Sequence, residues 1–243
     1  MAAVVRLEGL CADAWPAPVD ERLGAWRLRA ADGWTGRANA ALAVGDPGMP
    51  VADALAEVER FAAAHGLPPR VHVPVGSPWD RAVAAAGWVL DSGHAAGAEA
   101  AVLVAELGDA PADPRVELAG SPSAQWWRLA FDADPTPAQR HVVHGPPDTV
   151  FALVRGPSGE PLGQVRGAVV ADHLHVALLQ VVPAARRQGL ATVLLDAAGA
   201  WGREGGARWS VLQVALHNGI ARALYARLGY AEHHRYRYLV PPR

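Results

Sequence analysis

Six consecutive residues, Arg186-Arg187-Gln188-Gly189-Leu190-Ala191, stand where an apolar strand ended by Pro183 gives way to the most regular amphipathic stretch of the chain. Residues of these types at a helix start suit one kind of chemistry. The first N–H groups of a helix lack internal acceptors and carry the positive end of its dipole, so a diphosphate laid across them accepts several hydrogen bonds together. Gly189 allows close approach of the backbone, while Arg186 and Arg187 offer charge-assisted bonds to the same oxygens. The six residues alone decide little, because composition predicts roughly 0.7 matches to Arg-x-x-Gly-x-Gly/Ala by chance. Their place before a helix gives them meaning.

A second constellation follows in order: Asn218, then Tyr225 seven residues on, then Gly229 and Tyr230. A phenol, of pKa about 10, is an acid that can give up its proton in a reaction. The ordinary alternatives are a core tyrosine and an asparagine that caps a helix. Upstream, His173-Leu174-His175 supplies imidazoles of pKa near 6.5, able to take up a proton near neutral pH. His175 shares strand parity with Val181, and a plain surface histidine is its alternative.

The two motifs, in this order and spacing, resemble the Gcn5-related N-acetyltransferase (GNAT) superfamily, and the likeness runs from Val181 through Tyr230. The resemblance implies a strand that splays from its neighbour at a bulge. It implies that the pantetheine arm of acetyl-CoA pairs there with the backbone of Leu179 and Val181, and that a main-chain N–H near Val181 holds the thioester oxygen. It implies that Arg186, Arg187, Gln188, Gly189, Leu190, Ala191 and Asn218 bind the cofactor and that Tyr225 is the proton donor. Where ribosomal-protein N-terminal acetyltransferases of the superfamily carry Glu, this chain has Gln213, which weakens a protein-N-terminus acceptor; His175 matches instead the histidines of arylalkylamine acetyltransferases. The implied reaction is acetyl transfer to a primary amine of a small molecule or peptide by direct attack in a ternary complex. No covalent intermediate is expected, since the only cysteine is Cys11. A non-catalytic acyl-CoA-binding sensor or pseudoenzyme stays open, because no base is assigned.

The elements that must position these residues follow from periodicity and turn glycines. In the second half we expect a helix over 123–133, strands over 150–155, 161–170 and 174–182, a helix over 189–203, a strand over 209–215, a helix over 219–228 and a strand over 236–240. The first half repeats the pattern, with strands over 25–30 and 37–44, a helix over 52–65, a strand over 71–75, a helix over 79–86 and a strand over 100–107. Matched glycines (Gly66 with Gly206, Gly87 with Gly229) suggest a duplicated unit. The expected fold is mixed α/β, a mainly antiparallel sheet flanked by helices, as two GNAT-like domains in tandem: residues 1–110, a linker over 111–122, and 123–243. In the first half, the residues aligned with Asn218 and Tyr225 are Gly76 and Val83, and the loop Gly45-Asp46-Pro47-Gly48-Met49-Pro50 lacks Arg-x-x-Gly. That half is therefore expected to be degenerate and to complete the acceptor pocket, with Trp26, Arg29, Trp34, Arg37 and Asn39 as surface groups.

Composition narrows the rest. With 22 basic and 24 acidic residues there is no broad positive field to attract nucleic acid or an anionic membrane. No apolar run is long enough to span a bilayer, and one cysteine with no recognisable leader points to the cytoplasm. The ten histidines occur without a Cys pair or HExxH spacing, so no metal is expected. Monomer and homodimer are not separated.

Overall fold

In the computed structural model, which describes residues 1–109 and 113–242, the chain starts with a helix where none was expected, α1 (Ala2–Ala14). A hairpin of β1 (Val19–Leu23) and β2 (Trp26–Ala30) follows, then β3 (Ala41–Leu42), α2 (Val51–Ala64), β4 (Val71–Pro74), α3 (Pro78–Ala85), β5 (Val89–Leu90) and β6 (Glu99–Glu106). The second half runs β7 (Val116–Ala119), α4 (Ala124–Ala130), α5 (Pro137–His144), β8 (Thr149–Arg155), β9 (Pro161–Val170), β10 (His173–Val181), α6 (Leu190–Glu204), β11 (Trp209–Ala215), α7 (Gly219–Arg227) and β12 (Ala231–Val240). This is the expected mixed α/β fold with a mostly antiparallel sheet flanked by helices.

Both halves use one pairing scheme. β1 with β2 and β2 with β3 are antiparallel, and β3 crosses over through α2 to lie parallel to β4. Likewise β8 with β9 and β9 with β10 are antiparallel, and β10 crosses over through α6 to lie parallel to β11. A helical crossover is what a parallel pair requires.

The chain divides into two compact units that are not the two consecutive stretches expected. One holds Met1–Leu103, Gln213–Leu224 and Glu232–Arg243; the other holds Val104–Leu212 and Tyr225–Ala231. The reason lies in strand pairing: β12, the last strand, pairs antiparallel with β4, from Tyr236 opposite Pro74 to Leu239 opposite Val71. Leu239 thereby enters the first unit's core with Trp26, Leu55, Val58, Val71, Val73 and Val83. Burying one leucine in this way is worth about 2 kcal/mol. Of the expected linker, residues 111 and 112 lie outside the described residues, and Val116–Ala119 is strand β7, paired with β8.

In the second unit, α6 lies on the sheet through small residues. A Cβ added at Gly167 would come 2.9 Å from Leu174 and 3.8 Å from Ala198, and one at Gly202 would meet Leu174 at 3.2 Å. Leu190, Leu194 and Ala198 are buried on this face, which fixes where the helix begins relative to β10.

Candidate acyl-carrier site and a second cavity

The site is built where β10 passes into α6. Among the described residues, the parallel ladder between β10 and β11 comprises His173 with Trp209, Leu174 with Ser210 and His175 with Val211, and it ends there. Beyond His175, β10 continues to Val181 paired with β9. The backbone edge from Val176 to Val181 is thus left on the β11 side, the geometry to which an extended chain can add as a strand.

A bulge causes the divergence. Ala177 stands opposite Arg166 and Gln180 opposite Gln164, so β10 spends three steps where β9 spends two; Leu178 takes up the excess at φ 55°. Leu179, expected to bind through its backbone, belongs to this bulge.

After Val181 a single 3-10 turn, Pro183–Ala185, swings the chain to the start of α6. Arg187 sits at φ 64° and Gly189, the residue before the helix, at φ 77°. A Cβ on Gly189 would touch nothing within 4 Å, so the protein itself leaves open space there. Glycine is demanded by the left-handed backbone rather than by crowding. Arg186, Arg187, Gln188 and Gly189 are exposed, Ala191 is half-buried, and Leu190 turns into the core. No side chain caps the first turn of α6 and no acidic residue lies in it. Arg186 folds back so that its Nε donates to the Val181 carbonyl at 3.2 Å, joining the open strand end to the loop.

Tyr225 is only 8% exposed on α7, its ring 5.5 Å from that of Tyr230, which shares a 2.6 Å hydrogen bond with Ser210. Burial, then the neighbouring Tyr230, pushes the Tyr225 phenol up to about 12. It therefore carries its proton throughout the neutral range and can act only as a donor there. Asn218 caps α7: its Oδ1 accepts from the Ala221 N–H at 3.1 Å. Asn218 and Tyr225 lie two turns apart on one helix, yet they fall in different compact units.

His175 is not brought to the open end of β10. It is 1% exposed and pairs opposite Ala168, on the face shared with Arg166 and Gln164. Arg166 donates from Nε to the Val143 carbonyl of α5 at 2.7 Å, so helices cover that face. Val181 faces the other way, since a Cβ on the opposing Gly163 would meet Val181 and Leu194 of α6. Parity would have put His175 and Val181 together; the bulge reversed it.

Of the residues expected on the surface of the first half, Trp26, Arg29 and Asn39 are buried and Trp34 and Arg37 are half-buried. Arg29 donates to the carbonyls of Arg37, Ala12 and Trp15, and so serves the loop from inside. The expected strand over 37–44 shrinks to β3 because Gly36 to Asn39 form a turn, with the Asn39 N–H on the Gly36 carbonyl at 3.1 Å. Arg37 reaches a cavity of about 440 Å³ within the first unit, whose lining includes Arg70, His94, Gln213, Tyr236 and Tyr238. The sequence drew attention to Arg37 and Gln213 but not to their meeting.

Sequence reasoning also missed a buried acid. Glu8, 1% exposed on α1, contacts His234 Nε2 at 2.8 Å and His72 Nε2 at 3.2 Å. Desolvation works against its ionisation, but the two histidines prevail and hold its carboxyl down at about 2. A single Glu in an unremarkable N-terminal segment offers no sequence signal for such a cluster.

Comparison with known proteins agrees with this architecture. The chain is 27% identical over 242 residues to the Bacillus subtilis (strain 168) protein described as "Uncharacterized N-acetyltransferase YobR", with 94% of this chain and 96% of that one covered. A GCN5-related N-acetyltransferase from Kribbella flavida superposes with a TM-score of 0.70 at 23% identity, covering 100% of this chain and 95% of that one. A tandem GNAT protein from the clavulanic acid biosynthesis pathway has a TM-score of 0.64 at 16% identity, covering 96% and 86%. The model of the family described as "Probable histone acetyltransferase Rv0428c C-terminal" matches residues 2–239, and the chain belongs to that family of GNAT-type acetyltransferases.

Proposed function

We propose that the second unit binds acetyl-CoA and transfers its acetyl group to a primary amine of a small molecule or peptide, by direct attack in a ternary complex. The observation that carries this reading is the open edge of β10, ending at the uncapped helix start of α6 with Gly189 in the left-handed conformation. Acetyl-CoA supplies the activated acyl carbon; the chain's part is to hold and orient it. The α6 amides and the exposed Arg186 and Arg187 suit the diphosphate. The backbone of Leu179 and Val181 suits the amide-bearing arm, and a main-chain N–H beside Val181 suits the carbonyl oxygen as it gains charge.

Tyr225 returns a proton to the leaving sulfur. From a phenol at about 12 to a thiol like that of cysteine, near 8.5, the transfer is uphill by roughly 5 kcal/mol. That lies well within the barrier of about 16 kcal/mol that corresponds to turnover near 10 per second. The proton lost by the incoming ammonium leaves through water, since His175 is enclosed and Gln213 is no base.

The same two facts favour a second reading, a non-catalytic acyl-CoA-binding sensor. Calorimetric titration with acetyl-CoA, followed by CoA release against polyamines, arylalkylamines, aminoglycosides and peptide N-termini, separates the two. Binding with turnover on at least one amine supports the enzyme; binding with no turnover on any supports the sensor; absent binding removes both. We further propose that the first half is a degenerate copy of the second and works in the cytoplasm as part of the same enzyme; its loop before α2 supports this by lacking any phosphate seat. No helix among the described residues is long and apolar enough to cross a membrane.

A further inference from the structure

The cavity of about 440 Å³ in the first unit is lined by the loops 33–37 and 93–97, by Arg70, and by residues of β6, β11 and β12. Its rim loop is strained at Thr35, a β-branched residue at φ 63°, after left-handed Asp32 and Gly33 at φ 49° and 76°. One buried side chain holds that conformation. Asn39, 3% exposed, accepts on Oδ1 from the N–H groups of Ala31 at 2.7 Å and Gly33 at 2.9 Å, and donates from Nδ2 to the carbonyls of Trp34 at 2.6 Å and Thr35 at 2.8 Å. Trp15 Nε1 donates to the Thr35 hydroxyl at 3.2 Å. An unfavourable backbone held by so many bonds is characteristic of ligand clamps.

The lining has a definite chemistry. Two guanidiniums, Arg37 and Arg70, face it, and none of the described residues lining it is a carboxylate. Asp91, outside the lining, pairs with Arg70 at 2.8 Å and offsets one positive charge. Arg37 is braced for a planar partner: its guanidinium lies 4.7 Å over the Trp15 ring, and it donates to the Gln213 side-chain oxygen. Aromatic rings contribute to the lining, with those of Tyr236 and Tyr238 5.5 Å apart and His94 stacked on Tyr238 at 4.7 Å. Gly36 lets both rings close on the loop: a Cβ there would come within 2.5 Å of His94 Nε2 and 2.7 Å of the Tyr238 ring.

We propose that this cavity binds a compact monocarboxylate with a planar or apolar body, its carboxylate on Arg37 and Arg70 and its body against Tyr236 and Tyr238. A size of this order is typical of small-molecule sites, and a fork of guanidinium donors matches carboxylate geometry. The inference does not rest on acyl transfer, because the site lies wholly in the first unit and its occupancy can be read without acetyl-CoA.

The test is calorimetric titration of the full chain with phenylacetate, indole-3-acetate, phenethylamine and inorganic phosphate. Expected are saturable binding of the two carboxylates, with phosphate, and phenethylamine, whose similar body carries an ammonium instead of a carboxylate, each at least tenfold weaker than phenylacetate. Arg37→Gln, and Gly36→Ala, whose methyl must displace His94 and Tyr238 of the lining, should each weaken phenylacetate at least tenfold, with thermal melting of each confirming a folded chain. Equal binding of phenethylamine and phenylacetate, phosphate as tight as phenylacetate, or no carboxylate binding to the folded wild type overturns the proposal. So does unchanged affinity in the folded variants; if one variant fails to fold, the other decides. Acetyl-CoA binding measured separately reports on the acyl-carrier site alone, so either reading can fail without the other.

Discussion

The loops before α2 and before α6 occupy the same place in the two halves, after the third strand of a meander, and their chemistry is opposite. Before α6 the backbone turns through Arg187 and Gly189 with positive φ, presents two exposed arginines, and leaves the helix start uncapped. Before α2 the loop is closed on itself. The Asp46 carboxylate accepts from the Gly48 N–H at 2.8 Å and its carbonyl from Ala25 at 2.7 Å, while Pro50 precedes a first turn that carries Asp53. The strands differ in the same sense. β3 is two residues long and both pair with β4, whereas β10 runs six residues beyond its last partner on β11. A shared crossover does not make an anion seat. That takes an open strand end and a helix start free of acid, since left-handed glycines stand before both helices, Gly45 and Gly48 in one loop and Gly189 in the other.

Several substitutions can break or sharpen this contrast. The largest effect is expected from Gly189→Glu, which forces a side chain into φ 77° and places a carboxylate at the helix start. Acetyl-CoA affinity should fall more than about 100-fold by calorimetry, well beyond the effect of a single charge at a helix end, since steric and charge terms add. Met49→Glu, at the corresponding loop of the first half, should leave it within about twofold. Similar losses from both would erase the distinction between the loops.

Next is Tyr225→Phe, with kcat lower by about 100-fold and acetyl-CoA affinity unchanged. Because the phenol is raised to about 12, it stays protonated as pH rises through its ordinary value. The wild-type rate should therefore show no alkaline loss with a midpoint near about 10. Finding one that follows Tyr225 would contradict the buried donor.

His175→Ala should cost about 2 kcal/mol in urea unfolding, as removal of a buried side chain does, while the midpoint of the pH–rate profile stays in place. A displaced midpoint would restore it as a base. The smallest effect is expected of Asp46→Ala, about 1 kcal/mol for the lost bond to Gly48 with unchanged acetyl-CoA affinity. A gain in affinity there would mean that the first half is a masked anion seat rather than a lost one.

The loop proposed to hold acetyl-CoA was legible as local structure because each part of it is local: Pro183 ends a strand, Gly189 opens a helix, and a regular apolar stripe follows. Strands 161–170 and 209–215 were legible for the same reason and match β9 and β11 residue for residue. His175 was misplaced because one extra residue in a strand reverses every later side chain, and the sequence around Leu178 does not announce a bulge. Helix α1 escaped notice because its buried face includes Glu8, whose partners His72 and His234 lie far along the chain.

By itself, then, the sequence determined the mixed α/β class, the helix start that suits a diphosphate, and the order of Asn218 and Tyr225 on one helix, all set by neighbours within a few turns. Only the tertiary structure decided that β12 pairs with β4, that Asn39 holds a strained rim, and that Arg37 meets Gln213 and two tyrosines around one cavity. Those contacts join residues more than a hundred positions apart in several cases. Their free energy comes from burial and pairing between segments, for which no local pattern of residues is a sufficient cue.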